Sequence, residues 1–254
     1  MTEPPTLWHL KVSPYNEKAR WALDYKGVPH IRRDVMPIGH DTLSRNLGGD
    51  GTMPVLVVGD SVLGDSTAII AELERLHPEP PLYPADPEER SRALALEDHF
   101  DEELGPYTRR LVLHHAMGDA DLMLSAFTPD LPSMRRGIAR AMFPLVRRRV
   151  RRDFQIDDRT VAEAFDRLAA AGERMRAELG PSGYLVGDRF TVADLALASM
   201  CAPAVAPEQF PYAQPQRGHP LFEPFRAALR DAGLLDFTLR MYELHRGSSS
   251  AVPG

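Results

Sequence analysis

Apolar and polar positions divide this chain into two regimes. Up to about residue 78, short apolar runs alternate with helical repeats; beyond it almost every repeat is helical. Leu7-Trp8-His9-Leu10 reads as a strand. Ser13 then stands where an N-cap belongs and Pro14 where a first helical residue belongs, and Trp21, Ala22 and Tyr25 continue a helix. Gly27 stops that helix, and Val28-Pro29 forces an extended backbone into a second strand over 30–35. Strand, crossover helix and strand make a βαβ unit, so these two strands are predicted to be parallel. Residues 36–52 are polar and glycine-rich, with a short helix over 41–47. Val55-Leu56-Val57-Val58, Gly59-Asp60 and Ser61-Val62-Leu63 predict a β-hairpin. Asp65-Ser66-Thr67 then caps a helix whose apolar positions are Ile69, Ile70, Leu73 and Leu76.

The organisation that follows is an α/β unit over 1–78, a proline-rich linker over 79–87 and an all-helical unit over 88–246. Helices are predicted over about 90–117, 135–152, 160–179, 191–202, 221–231 and 235–245. The glycine- and serine-rich tail, 247–254, is expected to be disordered. Thr191 and Asp194 form a capping box with Phe190 as its staple residue, a structural feature.

Composition narrows the function classes. A net charge of −6 argues against a nucleic-acid protein, which usually presents a basic domain. No apolar run approaches a membrane span, and the first residues lack a signal peptide's basic and apolar regions, so a cytoplasmic protein is expected. The single cysteine, Cys201, excludes an internal disulfide and a cysteine-based zinc site, and it reads as a buried small residue. His114 and His115 cannot share a helix face, so no metal is expected. The run Arg147-Arg148-Arg149-Val150-Arg151-Arg152 spreads around a helix and reads as a solvated face or a set of interdomain ion pairs. The arginine-over-lysine, alanine- and proline-rich composition is associated with GC-rich bacterial genomes.

Ser13-Pro14-Tyr15-Asn16-Glu17-Lys18-Ala19-Arg20 is the stretch with chemical content. A hydroxyl at a helix mouth lies beside free N–H groups and the positive end of the helix dipole, where an anion is stabilised. Taken alone, Ser-Pro more often marks a capped surface helix.

Four segments in order carry a resemblance. They are 13–20; Met53-Pro54-Val55-Leu56; Asp65-Ser66-Thr67-Ala68-Ile69; and Phe190-Thr191-Val192-Ala193-Asp194-Leu195-Ala196. Together they resemble the cytosolic glutathione transferases, with a thioredoxin-like N-terminal domain and a helical C-terminal domain. The resemblance implies that Ser13 donates a hydrogen bond to the sulfur of bound glutathione and favours its thiolate, the nucleophilic form. Asn16 stands where redox-active relatives hold a second cysteine; its amide either donates to the sulfur or a substrate, or satisfies the first helical turn. The Met53–Pro54 bond is implied to be cis, with the Met53 backbone facing the tripeptide, while Ser66 suits the glutamyl carboxylate and Asp65 the amino group. Tyr15, Tyr107, Arg110 and His114 are candidate contacts for the electrophile, with Arg109 on the same predicted helix.

One departure stands out. The family often has a lysine before its cis-proline, for the glycyl end of glutathione, whereas Gly48-Gly49-Asp50-Gly51-Thr52 has none. Arg45 and His40 are the nearby basic residues, and another low-molecular-weight thiol is an alternative cosubstrate. The implied function is conjugation of a thiol to a small apolar electrophile in a homodimer, with no nucleic acid and no membrane. The alternatives are a thiol-dependent isomerase or dehalogenase, and a non-catalytic binding or regulatory protein on the same fold. The 119–160 stretch is longer than a minimal member of the family requires and is a candidate cover for the pocket.

Overall fold

The computed structural model describes residues 3–127 and 132–254. Residues 1, 2 and the 128–131 part of the long excursion lie outside the described residues. The α/β part comprises β1 (Thr6–His9), α1 (Pro14–Tyr25), β2 (Ile31–Asp34), α2 (His40–Leu47), β3 (Val55–Val58), β4 (Ser61–Gly64) and α3 (Ser66–Leu76). Its four strands are ordered β2-β1-β3-β4. As the crossover requires, β1 and β2 run parallel, with Thr6 opposite Ile31. β3 is antiparallel to β1, pairing Leu56 with Leu7, and turns back through Gly59-Asp60 into β4. Leu7, Leu23, Leu56 and Ile69 bury between this sheet and α1 and α3.

The remaining helices are α4 (Pro87–Glu103), α5 (Gly105–Ala116), α6 (Ala120–Phe127), α7 (Ser133–Asp153), α8 (Asp158–Glu178), α9 (Val192–Val205), α10 (Glu223–Asp231) and α11 (Leu234–His245). The single helix expected over 90–117 is divided at Leu104, where Gly105-Pro106 starts a new one; proline has no N–H to continue the ladder. α6 was not legible, because a single eight-residue amphipathic segment is a weak periodic signal.

α9 is the axis of the helical part. Every one of its residues is buried, and it packs against α1, α4 and α11. Its Ala, Ser and Cys positions let those helices approach, and a helix apolar all round has no solvent face to present. The expected capping residues meet at its start: Asp194 Oδ2 accepts from Thr191 N and Oγ1, each at 2.9 Å, and Asp194 Oδ1 accepts from Leu185 N at 2.9 Å. Burial pushes the Asp194 carboxyl up to about 6 against those three bonds. Cys201, on the same helix, is buried, and burial pushes its thiol up to about 12.

The proline-rich connection is pinned. Lys26 Nζ donates to His77 O at 2.8 Å and to Pro80 O at 2.9 Å, Leu82 N donates to Glu74 Oε1, and Leu82 O accepts from Val192 N.

The tail corrects an expectation. Residues 247–254 were expected to be disordered, yet they are ordered along α1 and β2. Arg246 reaches Glu17 Oε1 and Asp24 Oδ2, both at 2.8 Å, Ser250 N donates to Asp24 Oδ1, and Val252 N donates to His30 O at 2.9 Å. Ala251 and His30 form a parallel bridge. A polar tail holds here because buried carboxylates on α1 need donors, and local composition carries no sign of that need.

Candidate functional site

Ser13 precedes α1 in an extended conformation, with φ −80° and ψ 131°, and Pro14 follows at the first helical position. Its side chain does not cap the helix. Instead Asn16 Nδ2 donates to Ser13 Oγ at 2.8 Å and to Met53 O at 3.0 Å, while Asn16 Oδ1 accepts from Leu10 N at 2.9 Å. Asn16 is fully buried, so both donors and its carbonyl are committed inside the protein. Of the two roles open to Asn16, direct contact with the sulfur or a substrate has no donor left; it positions Ser13. Because Ser13 Oγ already accepts, its own proton remains free to be donated outward.

The Met53–Pro54 bond is cis. The Met53 carbonyl is already engaged by Asn16, which leaves one lone pair for a ligand. Arg45 lies over Gly51, two residues earlier: a Cβ at Gly51 would stand 2.8 Å from Arg45 Nη2. His40 Nδ1 is instead 2.6 Å from Pro37 O.

At the start of α3, Asp65 has φ +71°, a region that favours glycine, and its carboxylate accepts no bond from the helix's first turn. The expected Asp65 cap is therefore absent. Asp65 lines a cleft of about 260 Å³ with Tyr15, Thr67, Asp98, Asp101 and Glu102. Ser66 is fully buried next to it, and its Oγ has no hydrogen-bond partner among the described residues. An orphaned hydroxyl at a helix N-terminus is suited to an anionic oxygen, which is the test that a glutamyl carboxylate would pose.

Beneath the cleft lies a cluster that sequence reasoning missed. Lys18 Nζ contacts Asp101 Oδ2, stands 2.7 Å from Glu97 Oε1 and donates to Thr67 Oγ1 at 3.0 Å; Thr67 Oγ1 donates on to Asp101 Oδ2 at 3.1 Å. Burial alone would lower the Lys18 ammonium, but Asp101 and Glu97 hold it above the usual lysine range. Burial raises both carboxyls, against Lys18, which acts to lower them. Glu97 and Asp101 fall in the apolar phase of α4 beside Ala93, Leu96 and Phe100, and that placement was the available signal.

Tyr15 lines the cleft with its ring, while its hydroxyl donates to Asp101 O at 2.7 Å. Burial raises its phenol above the usual range; Arg109 acts against that, and Asp101, Asp65 and Glu102 with it. The ring fits because residue 105 is glycine: a Cβ there would lie 2.1 Å from Tyr15 Oη. The other electrophile candidates are displaced. Tyr107, Arg110 and His114 share the opposite face of α5 from Gly105, by helical phase. Tyr107 Oη donates to Glu163 Oε1 on α8 at 3.3 Å, and Arg110 Nε donates to Phe154 O at 3.4 Å. His114 lies in the field of Arg151 and Arg147, and its pKa is lowered by burial first and by those arginines after it. Arg109, on the Gly105 side, is the α5 cation whose charge reaches Tyr15.

A four-stranded sheet carrying a cis-proline turn beside a helix mouth, joined to a helical domain, defines a thioredoxin-like architecture with a helical second domain. Comparison with known proteins gives it a family. Residues 7–81 match the glutathione S-transferase N-terminal domain, and residues 158–231 match the glutathione S-transferase C-terminal domain. The chain belongs to the glutathione S-transferase-like family.

Among curated relatives, FtsZ-localized protein A of Caulobacter vibrioides is 30% identical over 141 residues, 54% of this chain and 61% of that protein. Maleylpyruvate isomerase of a Ralstonia species is 32% identical over 112 residues, 43% of this chain and 53% of that protein. The matches thus span between half and two thirds of those relatives. A glutathione transferase structure from Phanerochaete chrysosporium superposes with a TM-score of 0.64 at 18% identity, covering 98% of this chain and all of that one.

Proposed function

We propose that the protein activates the thiol of glutathione, or of a related low-molecular-weight thiol, for attack on a small apolar electrophile. The observation that carries this reading is the Asn16–Ser13 bond: it fills an acceptor position on Ser13 Oγ and leaves the Ser13 proton free at the N-terminus of α1. A hydrogen bond from Ser13 and the helix dipole both favour the thiolate, so the thiol proton leaves to solvent; the sulfur lone pair forms the carbon–sulfur bond as a leaving group departs with its electron pair, or as an activated double bond opens and then takes a proton from solvent. Met53 would pair with the thiol's backbone, Ser66 would receive a carboxylate, and Asp65 with its neighbouring carboxylates would receive an ammonium group. The same thiolate can add and then leave, the course of an isomerase, and the relative named maleylpyruvate isomerase favours that variant. The functional unit in this reading is a cytoplasmic homodimer.

A non-catalytic reading rests on a different observation. The cleft presents Asp65, Asp98, Asp101 and Glu102 with no lysine or arginine in its lining, an unfavourable surround for a ligand bearing two carboxylates. The similarity to a relative named FtsZ-localized protein A points the same way, toward a non-catalytic role.

Calorimetric titration with reduced glutathione and, separately, mycothiol tests the choice. Glutathione binding that weakens in Ser66→Ala supports the site; binding of mycothiol alone keeps the mechanism and changes the cosubstrate. Silence from both selects the non-catalytic reading.

A further inference from the structure

The turn that presents Ser13 is held from behind by one buried side chain. Arg20 is fully buried, and its fork spans two successive carbonyls of that turn: Nη1 donates to Leu10 O at 3.1 Å and Nη2 to Lys11 O at 3.0 Å. Leu10 O also accepts from Ser13 N at 3.3 Å, so Arg20 grips the carbonyl that closes the turn. Arg20 Nε donates to Glu17 Oε2 at 2.9 Å, which ties the fork to α1. A planar guanidinium presents these donors in a fixed fan, whereas an ammonium does not.

The rest of this clamp comes from the helical part. The connection between α9 and α10 lays Phe210 and Tyr212 over Arg20, with ring centroids 5.7 and 5.2 Å from its Cζ. Glu17, the ion-pair partner of Arg20, is shared with Arg246, and the two aromatic faces supply further negative potential to the buried cation. Tyr212 also stacks on His9, their centroids 5.5 Å apart and their planes 27° from parallel. His9 completes the link. Arginine has no acceptor, so His9 Nδ1, 2.8 Å from Arg20 Nη1, is the accepting nitrogen. The ring proton is then on Nε2, which faces Tyr212 Oη at 3.2 Å and Asp34 Oδ1 at 3.3 Å. The connection is itself anchored to the end of α9. Arg217 donates to Ala206 O at 2.9 Å and to Pro207 O at 2.8 Å, and Gln216 Nε2 donates to Pro203 O at 3.0 Å.

We propose that Tyr212 is a positioning residue for Ser13: its ring seats Arg20 on the Leu10 and Lys11 carbonyls, so the helical part sets the geometry of the thiol turn. The inference rests on the thiol-activating reading above and extends it to a residue of the other domain. A ring that merely packed the two domains together would change stability and leave the ionisation of a bound thiol as it was.

Two measurements on the full chain test it. Tyr212 is half-buried, so Tyr212→Ala is expected to fold, which a urea transition checks. If it does not, Tyr212→Leu, which keeps the bulk without the aromatic face, carries the same expectations. Amide hydrogen exchange reads the clamp without substrate: protection at Ser13 is expected to fall about tenfold, beyond any change in the centre of the sheet. Ultraviolet absorbance of the bound thiolate reads its consequence, with reduced glutathione and mycothiol each as the probe. The fraction ionised at pH 7 is expected to fall about fivefold. The Kd of the thiol should stay within about threefold, since its ends are held at α3 and Met53. Tyr212→Phe, which keeps the ring, is expected to restore protection and ionisation. In a Ser13→Ala background the Tyr212 change is expected to add nothing to the loss of ionisation, because it acts through Ser13.

Unchanged ionisation in Tyr212→Ala overturns the proposal, whether or not protection at Ser13 falls. So does a loss that adds in full to that of Ser13→Ala. A bound thiol whose ionisation is untouched by Ser13→Ala, or a wild type that binds neither thiol, overturns the thiol-activating reading and this role with it.

Discussion

Asn16 donates to the Ser13 hydroxyl oxygen at 2.8 Å, and so leaves that hydroxyl's own proton free for another acceptor. A buried amide with all three of its polar positions filled has no freedom to rotate, and the serine it holds inherits that rigidity.

Ser13→Ala is expected to lower kcat by roughly 10–100-fold, because one hydrogen bond to a charged sulfur, about 1.5–3 kcal/mol, is lost. The fold should survive, with a loss of about 1–3 kcal/mol from the Asn16 donor left without Ser13 Oγ, since Ser13 makes no side-chain cap. Steady-state kinetics with a chromogenic electrophile is the measurement; an unchanged kcat removes Ser13 from the mechanism.

Lys18→Met is expected to destabilise the protein by about 3–5 kcal/mol, since Glu97 and Asp101 would remain buried without their cation. Urea denaturation reads this directly. A loss near zero at pH 7 would show that water enters beneath the cleft and solvates the acids.

Acid is expected to weaken the fold through its histidines. His115 sits among Phe165, Phe222 and Phe225, and burial, with His114 beside it, lowers its pKa to about 4. The folded state thus holds His115 neutral, while the unfolded chain protonates near pH 6.5. Its contribution is intact above pH 6.5 and is lost as pH falls toward 4. His9 acts in the same direction: burial, then Arg20, lowers it to about 2, and Arg20 Nη1 stands 2.8 Å from its Nδ1. Asp194, raised to about 6, acts oppositely between 6 and 3.8. His115→Phe removes one histidine term: its Tm should exceed that of the wild type at pH 5 by more than at pH 8. Equal differences at the two pH values would refute the assignment.

Arg246→Met is expected to cost about 1.5–3 kcal/mol and to release the tail, because Arg246 binds both Glu17 and Asp24, which keep Arg20 and Arg32 when it is gone. Amide hydrogen exchange at Val252, whose N–H is held by His30 O, should rise together with the fall in stability. Protection at Val252 that survives the substitution would show that the Asp24–Ser250 contacts hold the tail without it.

Much of the architecture was legible because it is written in local pattern. The short apolar runs at 7–10 and 55–63, the Gly27 stop, and the Thr191–Asp194 box each depend on neighbours within a few residues. Those signals were enough for a βαβ unit, a hairpin and a helical second half, and the ordered motifs were enough for the family. The division of the long helix at Leu104 was missed, although Gly105-Pro106 was in plain view.

The chemistry of individual side chains was decided elsewhere. Asn16 became a brace because Met53, 37 residues away, offered it a carbonyl. Lys18 became a buried charge because α4 delivered Glu97 and Asp101 from beyond the connection between the domains. Tyr107, Arg110 and His114 left the cleft through the rotational phase of α5, which is set by packing against α8 and α9. The tail gained its order from carboxylates more than 200 residues earlier. Sequence pattern determines which face of an element is apolar, since that follows from backbone periodicity alone. Which polar group meets which across the fold is a matter of tertiary packing, because a hydrogen bond or ion pair is settled within a few ångströms and the pattern carries no record of those distances.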